Sequence, residues 1–442
     1  MTPPSPSPWT RRDWQALFIC WLAFGALVYR FWFLTDDSYI SFRYSRNLAL
    51  GNGLRFNLGD HVPVEGFSNL LWVVICAGIE WLGLAIEVWP NVLSTLCGAV
   101  LVAAVYASLR LRLELSPRAA LLGGLTFAVF PPIGVWSSGG LATMPFALLL
   151  FLTFERLFLA REVRGLSTGL ACIGLTLIRV EGAYWAIALF GMAALVRWRD
   201  GKRLGTGFAI AALMFAANFV ALTIWRNAYY GVVVANTVSA KGGFSLARLG
   251  RGFDYVMGWS LTMLTPLLAF PAALCAWRHK NPRGESERAM AHPILAMALA
   301  GYAYSILVSG DYMAFGRFMM PFWSFNALLF GVVWHELERK RPQLASSAAA
   351  ATLTLGLLPA WNLHVVPRAV REMFHFRHNT PHHATEFDQW KNQRHYPRLW
   401  AARGRAFKRW LEPGSSIVFD IGIGAASYFS ELFIYDLSLI HI

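Results

Sequence analysis

Two adjacent carboxylates, Asp36 and Asp37, directly follow the first long apolar run of the chain. Neighbouring carboxylates resist each other's ionisation unless cations or a ligand stabilise them. One of the pair could act as a general base on a hydroxyl group, or balance positive charge on a sugar ring in an oxocarbenium-like transition state. The alternative is a helix-end cap with a solvated neighbour, so further residues have to support a site.

Three cations, Arg226, Lys241 and Arg317, stand beside aromatic or small polar residues further along the chain. Such cations could bind a phosphate group and stabilise it as it leaves. Lipid-headgroup anchoring and ordinary ion pairing are the alternatives for each of them. The other candidate substrate-binding residues lie in the same segments, in the loop after Asp37 or in the turn 179–182: Tyr39, Arg43, Glu65, Arg179, Glu181, Tyr229, Tyr230, Asn236, Asp311 and Tyr312.

The elements that must position these residues are membrane-spanning helices. Of the 442 residues, 56% are hydrophobic and only 14% are charged, whereas about 25% of the residues of a soluble protein are charged. This composition excludes a single water-soluble globule. The net charge of +14 is distributed in short basic clusters between apolar runs, which is the pattern of membrane topology. Since no clustered basic face is visible, we expect no nucleic-acid partner.

Twelve apolar runs follow one another along the chain. The first, 14–34, is long enough to cross a hydrocarbon core of about 30 Å, and it predicts a signal anchor with its N-terminus inside. If all the runs crossed, the arginine-rich loop 110–118 would lie outside, against the positive-inside rule. If 67–86 is instead a non-crossing interfacial element, the loop 110–118 lies inside and eleven crossings are predicted. The short runs 167–178 and 183–196 could instead form a re-entrant pair, which predicts nine.

This topology places the candidate site residues in outer loops, while the inner loops are short and basic. It predicts a cytoplasmic tail over 1–13, a transmembrane domain over 14–363 whose first outer loop is 35–89, and an outer tail over 364–442. Charged residues at a membrane boundary are costly unless they are paired or functional. Their gathering on one side therefore predicts a site that faces the periplasm or the cell exterior.

The tail is polar and carries signals of both loop and strand. Residues 416–424 predict a buried strand that runs into a glycine turn, 425–430 predict a helix, and 433–436 predict a second strand. Because one or two strands are not stable alone, and the final residues end in mid-pattern, we expect an incomplete soluble α/β piece. Four histidines cluster in the tail, but without a carboxylate or cysteine at metal-ligand spacing a solvated loop is expected: His375, His378, His382 and His383.

The segments that carry these residues resemble a known family, in the same order and over nearly the whole chain. They are similar to the arabinofuranosyltransferase group of the bacterial GT-C glycosyltransferases, which includes mycobacterial and type IV pilin arabinosyltransferases. The matching motifs begin at Asp36-Asp37-Ser38-Tyr39, Val64-Glu65-Gly66, Arg179-Val180-Glu181-Gly182, Trp225-Arg226, Asn236-Thr237, Gly310-Asp311-Tyr312-Met313 and Asp420.

The resemblance implies an all-α polytopic membrane protein of GT-C type, with juxtamembrane helices in the first outer loop and a soluble α/β tail. It implies transfer of a sugar from a polyprenyl-phosphate donor, decaprenyl-phosphoryl arabinofuranose in the simplest case, to a glycan or protein acceptor outside the membrane. It also implies catalytic roles for Asp36 and Asp37. No cofactor is indicated with certainty, and a divalent metal is left open.

The chain departs from the family pattern in several places, and one of them is the absence of the Gly-Leu that usually follows the last Asp. Ala142 stands where relatives usually have Glu, and Val180 and Ala235 stand where they usually have Pro. Loss of the glutamate could alter acceptor or metal binding, so a non-catalytic homologue is one alternative. A lipid-linked sugar transporter or flippase is another. A transporter should place ionisable groups near the membrane midplane in repeated halves, whereas the polar groups here lie at one boundary and no clear half-repeat is visible.

Overall fold

A computed structural model gives the fold, and 74% of it is helical. Its helices and strands are numbered below in chain order. The structure describes residues 9–59, 63–233, 245–269, 286–374, 384–419 and 422–436, and over 286–291 it describes the backbone alone.

Helix α1, Arg11–Phe31, begins with a capping box. The Thr10 hydroxyl accepts from the N–H of Asp13, and the Asp13 carboxylate accepts from the N–H of Thr10, which satisfies two groups that an α-helix leaves unpaired. Asp13 is fully buried and also accepts from Arg110 Nε at 2.9 Å and Tyr106 Oη at 3.1 Å. This buried network anchors the N-terminal end of α1 against the helix that carries Tyr106.

Helix α2, Asp36–Ala49, begins where the chain leaves a short extended segment. Leu34 forms a parallel bridge with Gly139, and the N–H of Thr35 donates to the carbonyl of Gly139 at 3.1 Å. Gly139 and Gly140 have φ values of +83° and +76°, a left-handed conformation that favours glycine. This bridge determines where α2 begins, and therefore where the first-turn carboxylates lie.

Helix α3, Leu70–Trp81, packs against α2. Its 12 residues span about 18 Å, less than a hydrocarbon core of about 30 Å. Ser41 and Ser45 of α2 bond to Asn69 and to the Val73 carbonyl of this helix region. The length of α3 agrees with the prediction that run 67–86 does not cross.

The remaining helices of the membrane region pack around a common apolar core, with π-helical turns at Ser108–Arg112 and Glu155–Leu159 and 3₁₀ turns at Met320–Phe322 and Leu358–Trp361. They are α4 Trp89–Ala107, α5 Pro117–Ala128, α6 Pro131–Ser137, α7 Thr143–Phe154, α8 Gly165–Ile178, α9 Gly182–Arg199, α10 Thr206–Tyr230, α11 Leu246–Met263, α12 Ser286–Leu307, α13 Trp323–Lys340 and α14 Pro342–Leu357.

Membrane-spanning helices are present, as the composition predicts. Within the described ranges, four helical stretches are long and apolar enough to span, and they are Arg11–Phe31, Trp89–Arg112, Thr206–Tyr230 and Pro342–Trp361. The number of crossings stays a prediction.

Run 119–136, predicted as a span, consists of two helices, α5 and α6, bent by 59° at their junction, and together they are long and apolar enough for one broken span or a re-entrant loop. The physical reason is the Pro131–Pro132 pair, because proline cannot continue a helix and forces Phe130 before it into an extended conformation.

The tail contains α15 Arg368–Glu372, α16 Glu386–Trp410, β1 Ser416–Phe419, α17 Ile423–Ser430 and β2 Phe433–Asp436. Strands β1 and β2 pair in parallel. Two strands are too few for a stable sheet alone, and here Ile423 and Ile434 pack with Phe56 and Tyr44 of the first loop in one apolar cluster. The tail elements are therefore built onto the loop after α1, and an independent α/β piece stays a prediction.

Candidate functional site

Asp36 and Asp37 lie in the first turn of α2, but their carboxylates have different partners. Asp36 Oδ2 accepts from the N–H of Gly424 at 3.0 Å, and Oδ1 accepts from the N–H of Ala425 at 2.9 Å. These N–H groups belong to the first turn of α17, where a helix has no internal acceptors and favours an anion. A Cβ at Gly424 would overlap the Asp36 carbonyl, so only glycine allows this approach. Asp36 therefore docks α17 onto α2.

The environment of Asp36 places its titration close to neutral pH. Burial raises the pKa of the Asp36 carboxyl to about 6. The N–H groups of Ala425 and Gly424 oppose this rise, and the neighbouring charge of Asp37 adds to it. The contact between α2 and α17 is therefore sensitive to protonation of this one group.

Asp37 faces the loop between α12 and α13. Tyr312 Oη donates to Asp37 Oδ1 at 2.7 Å. The Tyr312 side chain is 55% exposed and Asp37 is partly exposed. Solvent or a ligand can therefore reach this contact, whereas both carboxylate oxygens of Asp36 are already bonded to α17.

Arg317 and Asp311 form a buried, two-pronged ion pair beside Asp37. Arg317 Nε donates to Asp311 Oδ2 at 2.6 Å, and Nη2 donates to Oδ1 at 3.2 Å. Burial alone would lower the pKa of the Arg317 guanidinium, but the charges of Asp311 and Asp37 outweigh it and raise that pKa. Asp37 thus lies within electrostatic reach of Arg317, and this arginine stays charged.

The backbone of this loop adopts left-handed conformations that fix its course. Gly310 and Gly316 have φ values of +70° and +62°, and a Cβ on either would overlap the ring of Tyr255 or Trp259. Phe315 has a φ of +54° without being glycine, a conformation that costs energy for a bulky residue. The surrounding structure must therefore hold the loop in place.

Helix α16 supplies that support through three polar side chains on one face. Glu386 Oε2 accepts from the N–H of Phe315 at 2.5 Å, and Gln393 Oε1 accepts from the N–H of Ala314 at 3.3 Å. A third contact, from Gln389 Nε2 to the carbonyl of Tyr312, measures 3.1 Å. The tail thus positions the loop that carries Asp311, Tyr312 and Arg317.

Arg179 and Glu181 form a further ion pair near this loop. Arg179 Nε donates to Glu181 Oε1 at 2.5 Å. The ring of Tyr304 lies within electrostatic reach of Arg179, Glu181, Asp311 and Arg317 together. These residues, with Asp37 and Tyr312, form the first candidate group.

Glu65 and Arg226 belong to a second group. Arg226 Nε and Nη2 donate to Glu65 at 2.6 and 3.1 Å, and both side chains are buried. Burial raises the pKa of Glu65, against the effect of Arg226. Tyr229 Oη accepts from the N–H of Leu54 at 3.0 Å, and Tyr230 Oη donates to its carbonyl at 3.1 Å. This group fastens the loop after α2 to the end of α10.

Arg43 is enclosed by protein acceptors. Its guanidinium donates to the carbonyls of Phe56 at 2.6 Å, Ser427 at 2.7 Å and Leu432 at 2.7 Å, and to Asn57 Oδ1 at 3.0 Å. These contacts join the first loop to the tail. A substrate-binding role for Arg43 stays a prediction.

Tyr39 donates from Oη to Glu87 at 3.2 Å, and its ring packs against Tyr428 of α17. A substrate-binding role for this residue likewise stays a prediction.

The sequence predicts one cavity shared by Asp37, Arg226, Lys241 and Arg317. The structure brings Asp37 and Arg317 together, whereas Arg226 bonds to Glu65 in the second group. Lys241 and Asn236 lie outside the described residues, as do the four tail histidines. The shared cavity therefore stays a prediction.

Ala142 marks where the expected outer glutamate would lie. It is 2% exposed and directly precedes α7, two residues after Gly140, whose N–H donates to Asn91 Oδ1 at 2.7 Å. The same loop bridges to Leu34, next to the start of α2. Position 142 thus belongs to the loop that sets the Asp36–Asp37 turn. Among the described residues, no group of three His, Cys, Asp or Glu side chains is placed to hold a metal.

Sequence reasoning missed the supporting face of α16. Glu386, Gln389 and Gln393 recur at i, i+3 and i+7, a spacing that puts side chains on one helix face. This periodicity of polar residues in a helix after the last apolar run was the available signal.

Comparison with known proteins gives one curated relative, and no family model matches the sequence. The relative is a terminal β-(1→2)-arabinofuranosyltransferase of Corynebacterium glutamicum, with 26% identity over 345 residues. The match covers 68% of this chain but 48% of the relative. The chain therefore spans about half the length of the curated relative that it matches.

Two solved structures share the fold. ArnT from Cupriavidus metallidurans bound to undecaprenyl phosphate has a TM-score of 0.61 at 13% identity, over 97% of this chain and 86% of that one. Its apo form has a TM-score of 0.58 at 14% identity, over 96% and 85% of the two chains. The chain thus has the membrane fold of ArnT, a GT-C glycosyltransferase. The resemblance seen in the sequence is confirmed.

Proposed function

We propose that this protein is an integral-membrane glycosyltransferase that moves arabinofuranose from a polyprenyl-phosphate donor to an acceptor hydroxyl. The fold shared with ArnT, solved with undecaprenyl phosphate, and the name of the curated relative support the reaction class and the sugar. The observation that carries the proposal is the accessible Asp37 carboxylate beside the buried Arg317–Asp311 pair. We place this site on the outer face of the cytoplasmic membrane, as the basic-residue bias predicts.

The two adjacent carboxylates have separate roles in this proposal. Asp36 has both oxygens engaged by α17, so it is a positioning residue. Tyr312 occupies Oδ1 of Asp37, which leaves Oδ2 to accept the acceptor proton. As that proton moves to Asp37, the acceptor oxygen bonds to the anomeric carbon, and the bond from that carbon to the phosphate oxygen breaks. Polyprenyl phosphate is the leaving group.

Arg317 is the cation that we assign to the donor phosphate in the described structure. Arg317 Nε and Nη2 donate to Asp311, so Nη1 is the nitrogen that would face the phosphate. The ion pair fixes the guanidinium plane and keeps its charge, which preorganises it for developing negative charge. Arg226 and Lys241 are proposed as further phosphate ligands, although a phosphate at Arg226 would compete with Glu65.

The test is transfer in membranes that contain the full chain. Radiolabelled decaprenyl-phosphoryl arabinose is added, and labelled acceptor is identified with the wild type, Asp37→Asn and a control, Asp200→Asn. Asp200 follows the far end of α9 from Glu181, about 27 Å along an 18-residue helix. We expect Asp37→Asn to lose transfer and Asp200→Asn to keep it. Undiminished transfer by Asp37→Asn would refute the assignment, and movement of the lipid-linked sugar across vesicles without any transfer would favour a transporter.

A further inference from the structure

Helix α16 carries a row of positive charge on a different face from the one that holds the loop with Tyr312. Over 391–410 it has seven basic residues and no acidic one, and all seven are exposed. Five of them recur at spacings of three, four or seven residues, which puts them on one face along about 27 Å of the helix. This basic stripe consists of Lys391, Arg394, Arg398, Arg405 and Arg409.

The carboxylates around α16 leave most of the basic stripe without a partner. Lys391 Nζ lies 3.8 Å from Asp388 Oδ1. Glu431 bonds to Lys408, which is not part of the stripe, and Glu386 is buried. Among the described residues, the four arginines of the stripe form no ion pair. Their charge is therefore available to an anionic partner.

Aromatic rings hold two of the guanidinium groups of the stripe. Cζ of Arg394 lies 5.6 Å from the ring centroid of Trp390, and Cζ of Arg405 lies 4.2 Å from that of Phe429. A ring beneath a guanidinium stabilises its plane and leaves the N–H groups at its edge to donate. Those N–H groups match the oxygens of a phosphate group. The stripe therefore suits an extended array of phosphates better than one small anion.

The N-terminal part of α16 rests on the ends of two helical stretches that can span a membrane. Trp390 packs edge-on against Phe31, the last residue of the first stretch, with ring centroids 5.0 Å apart. The Arg30 guanidinium lies 5.7 Å from the ring of Phe387 and 5.0 Å from that of Trp361, where the fourth stretch ends. This part of α16 is therefore at a membrane boundary, the outer one in the predicted topology.

The C-terminal part of α16 is tied to a second place near this boundary. Glu431 accepts from Lys408 at 2.6 Å and from Arg46 at 3.3 Å. Arg46 lines a cleft together with Trp81, a 76% exposed residue that precedes the spanning stretch Trp89–Arg112 by eight positions. Contacts at both ends thus favour an orientation along the membrane boundary for this helix of 25 residues, which is about 37 Å long.

Exposed apolar side chains lie beside the basic stripe. Tyr396, Leu399 and Trp410 are 47%, 40% and 78% exposed, and their spacings of three and eleven residues put them on one neighbouring face. A soluble polyanion would need only the cations. Basic residues next to exposed Trp, Tyr and Leu are instead typical of a helix in the headgroup layer of a membrane. A lipid surface is therefore the partner that this face fits best.

We propose that the basic stripe of α16 binds the anionic headgroups of phospholipids in the outer leaflet. The arginines pair with the phosphate groups, and Leu399 and Trp410 lie against the adjoining acyl region. Helix α16 then has two separate tasks, since one face holds the loop with Tyr312 and the other attaches the tail to the lipid surface. This inference does not rest on the proposed function, because binding of the headgroups requires neither donor nor acceptor.

The test maps lipid contacts of the full-length protein in nanodiscs of phosphatidylcholine and phosphatidylglycerol. A photoactivatable phosphatidylglycerol is cross-linked, and mass spectrometry identifies the residues to which it is attached. A phosphatidylcholine with the same photoactivatable acyl chain is the control probe. We expect the anionic probe to label 391–410 about tenfold more than the neutral probe. Added salt should reduce this difference, because it screens charges at a surface.

Two pairs of substitutions separate charge from packing. Arg398 and Arg409 make no ring contact or ion pair with the described residues, so Arg398→Gln with Arg409→Gln should leave the thermal unfolding midpoint unchanged. We expect this pair to lower labelling of α16 by phosphatidylglycerol about tenfold. The matched control, Arg398→Lys with Arg409→Lys, retains both charges and should retain most of the labelling. An equal loss in the two pairs would overturn the proposal.

Inorganic polyphosphate tests the alternative of a soluble polyanion. If calorimetry detects polyphosphate binding that depends on Arg398 and Arg409, while both lipid probes label α16 equally, the stripe serves a soluble partner and the lipid proposal is wrong. Equal labelling by the two probes without polyphosphate binding also overturns it. Selective labelling of α16 by phosphatidylglycerol in a preparation that transfers no sugar would support this inference and count against the proposed function alone.

Discussion

Asp36 and Asp37 are adjacent but have different partners, so substituting each one separately tests the role that we propose for it. Asp36→Asn keeps one acceptor oxygen for the two N–H groups of Gly424 and Ala425. The other oxygen becomes an amide NH2, so one of these N–H groups loses its acceptor, which costs about 1–3 kcal/mol. This loss weakens the docking of α17 but touches no reacting atom. Asp37→Asn instead removes the proposed base, whose contribution to rate is typically about 10²–10⁴-fold.

We therefore expect Asp37→Asn to lower kcat by about 10²–10⁴-fold with a thermal unfolding midpoint close to that of the wild type. Asp36→Asn should lower the midpoint while kcat stays within about tenfold. Initial rates with radiolabelled lipid-linked arabinose and unfolding curves on the same purified samples measure both quantities. The double variant should show both effects together.

The reverse pattern would refute this reasoning. If Asp36→Asn abolished transfer at an unchanged midpoint while Asp37→Asn remained active, the carboxylate bonded to α17 would be the reactive one. The contacts to α17 would then have to open during catalysis.

Other perturbations test the supports of the site. Removing one partner of the buried pair, as in Arg226→Met, should lower the free energy of unfolding by about 3–5 kcal/mol, because Glu65 would be left buried without its partner. The double variant with Glu65→Leu should recover most of that loss in thermal unfolding, and failure to recover would argue that packing rather than charge is responsible. Glu386→Ala should cost about 1–3 kcal/mol, because the N–H of Phe315 loses its acceptor, and should lower transfer. Glu386→Gln should stay close to the wild type in both assays, and an equal loss in the two variants would contradict a role in holding the loop. The pKa of Asp36 is raised from an ordinary value of 3.8 to about 6, so the folded state binds the proton more tightly than the unfolded state. Stability should then fall by up to about 3 kcal/mol as the pH rises through this window, and Asp36→Asn should flatten that change in a series of unfolding midpoints.

Much of the architecture was accessible from sequence because lipid imposes simple rules. Apolar runs long enough to cross a bilayer, and basic residues between them, mark a polytopic helical protein without any knowledge of packing. The Asp36–Asp37 turn and the loop with Asp311 and Arg317 were found because charge at a membrane boundary stands out in such a composition. That α3 does not cross stays a prediction from the distribution of basic residues.

Contacts between residues far apart in the chain could not be predicted from the sequence. Asp36 and Gly424 are 388 residues apart, and neither motif indicates the other. The same holds for the cations: Arg226 and Arg317 look alike in sequence, yet one pairs with Glu65 far away and the other with Asp311 close by. The bend at Pro131 had a visible signal that a hydropathy window ignores.

The contacts of Arg43 have a consequence for how the protein matures. This residue is synthesised early, but its acceptors at Ser427 and Leu432 are made 384 and 389 residues later. Until then the guanidinium lacks two of the groups that compensate its removal from water. Chains arrested during translation would therefore expose Arg43 without these two acceptors to quality-control proteases. Synthesis of the segment with Ser427 and Leu432 supplies these two acceptors, so this face is completed only after the described membrane helices have been made.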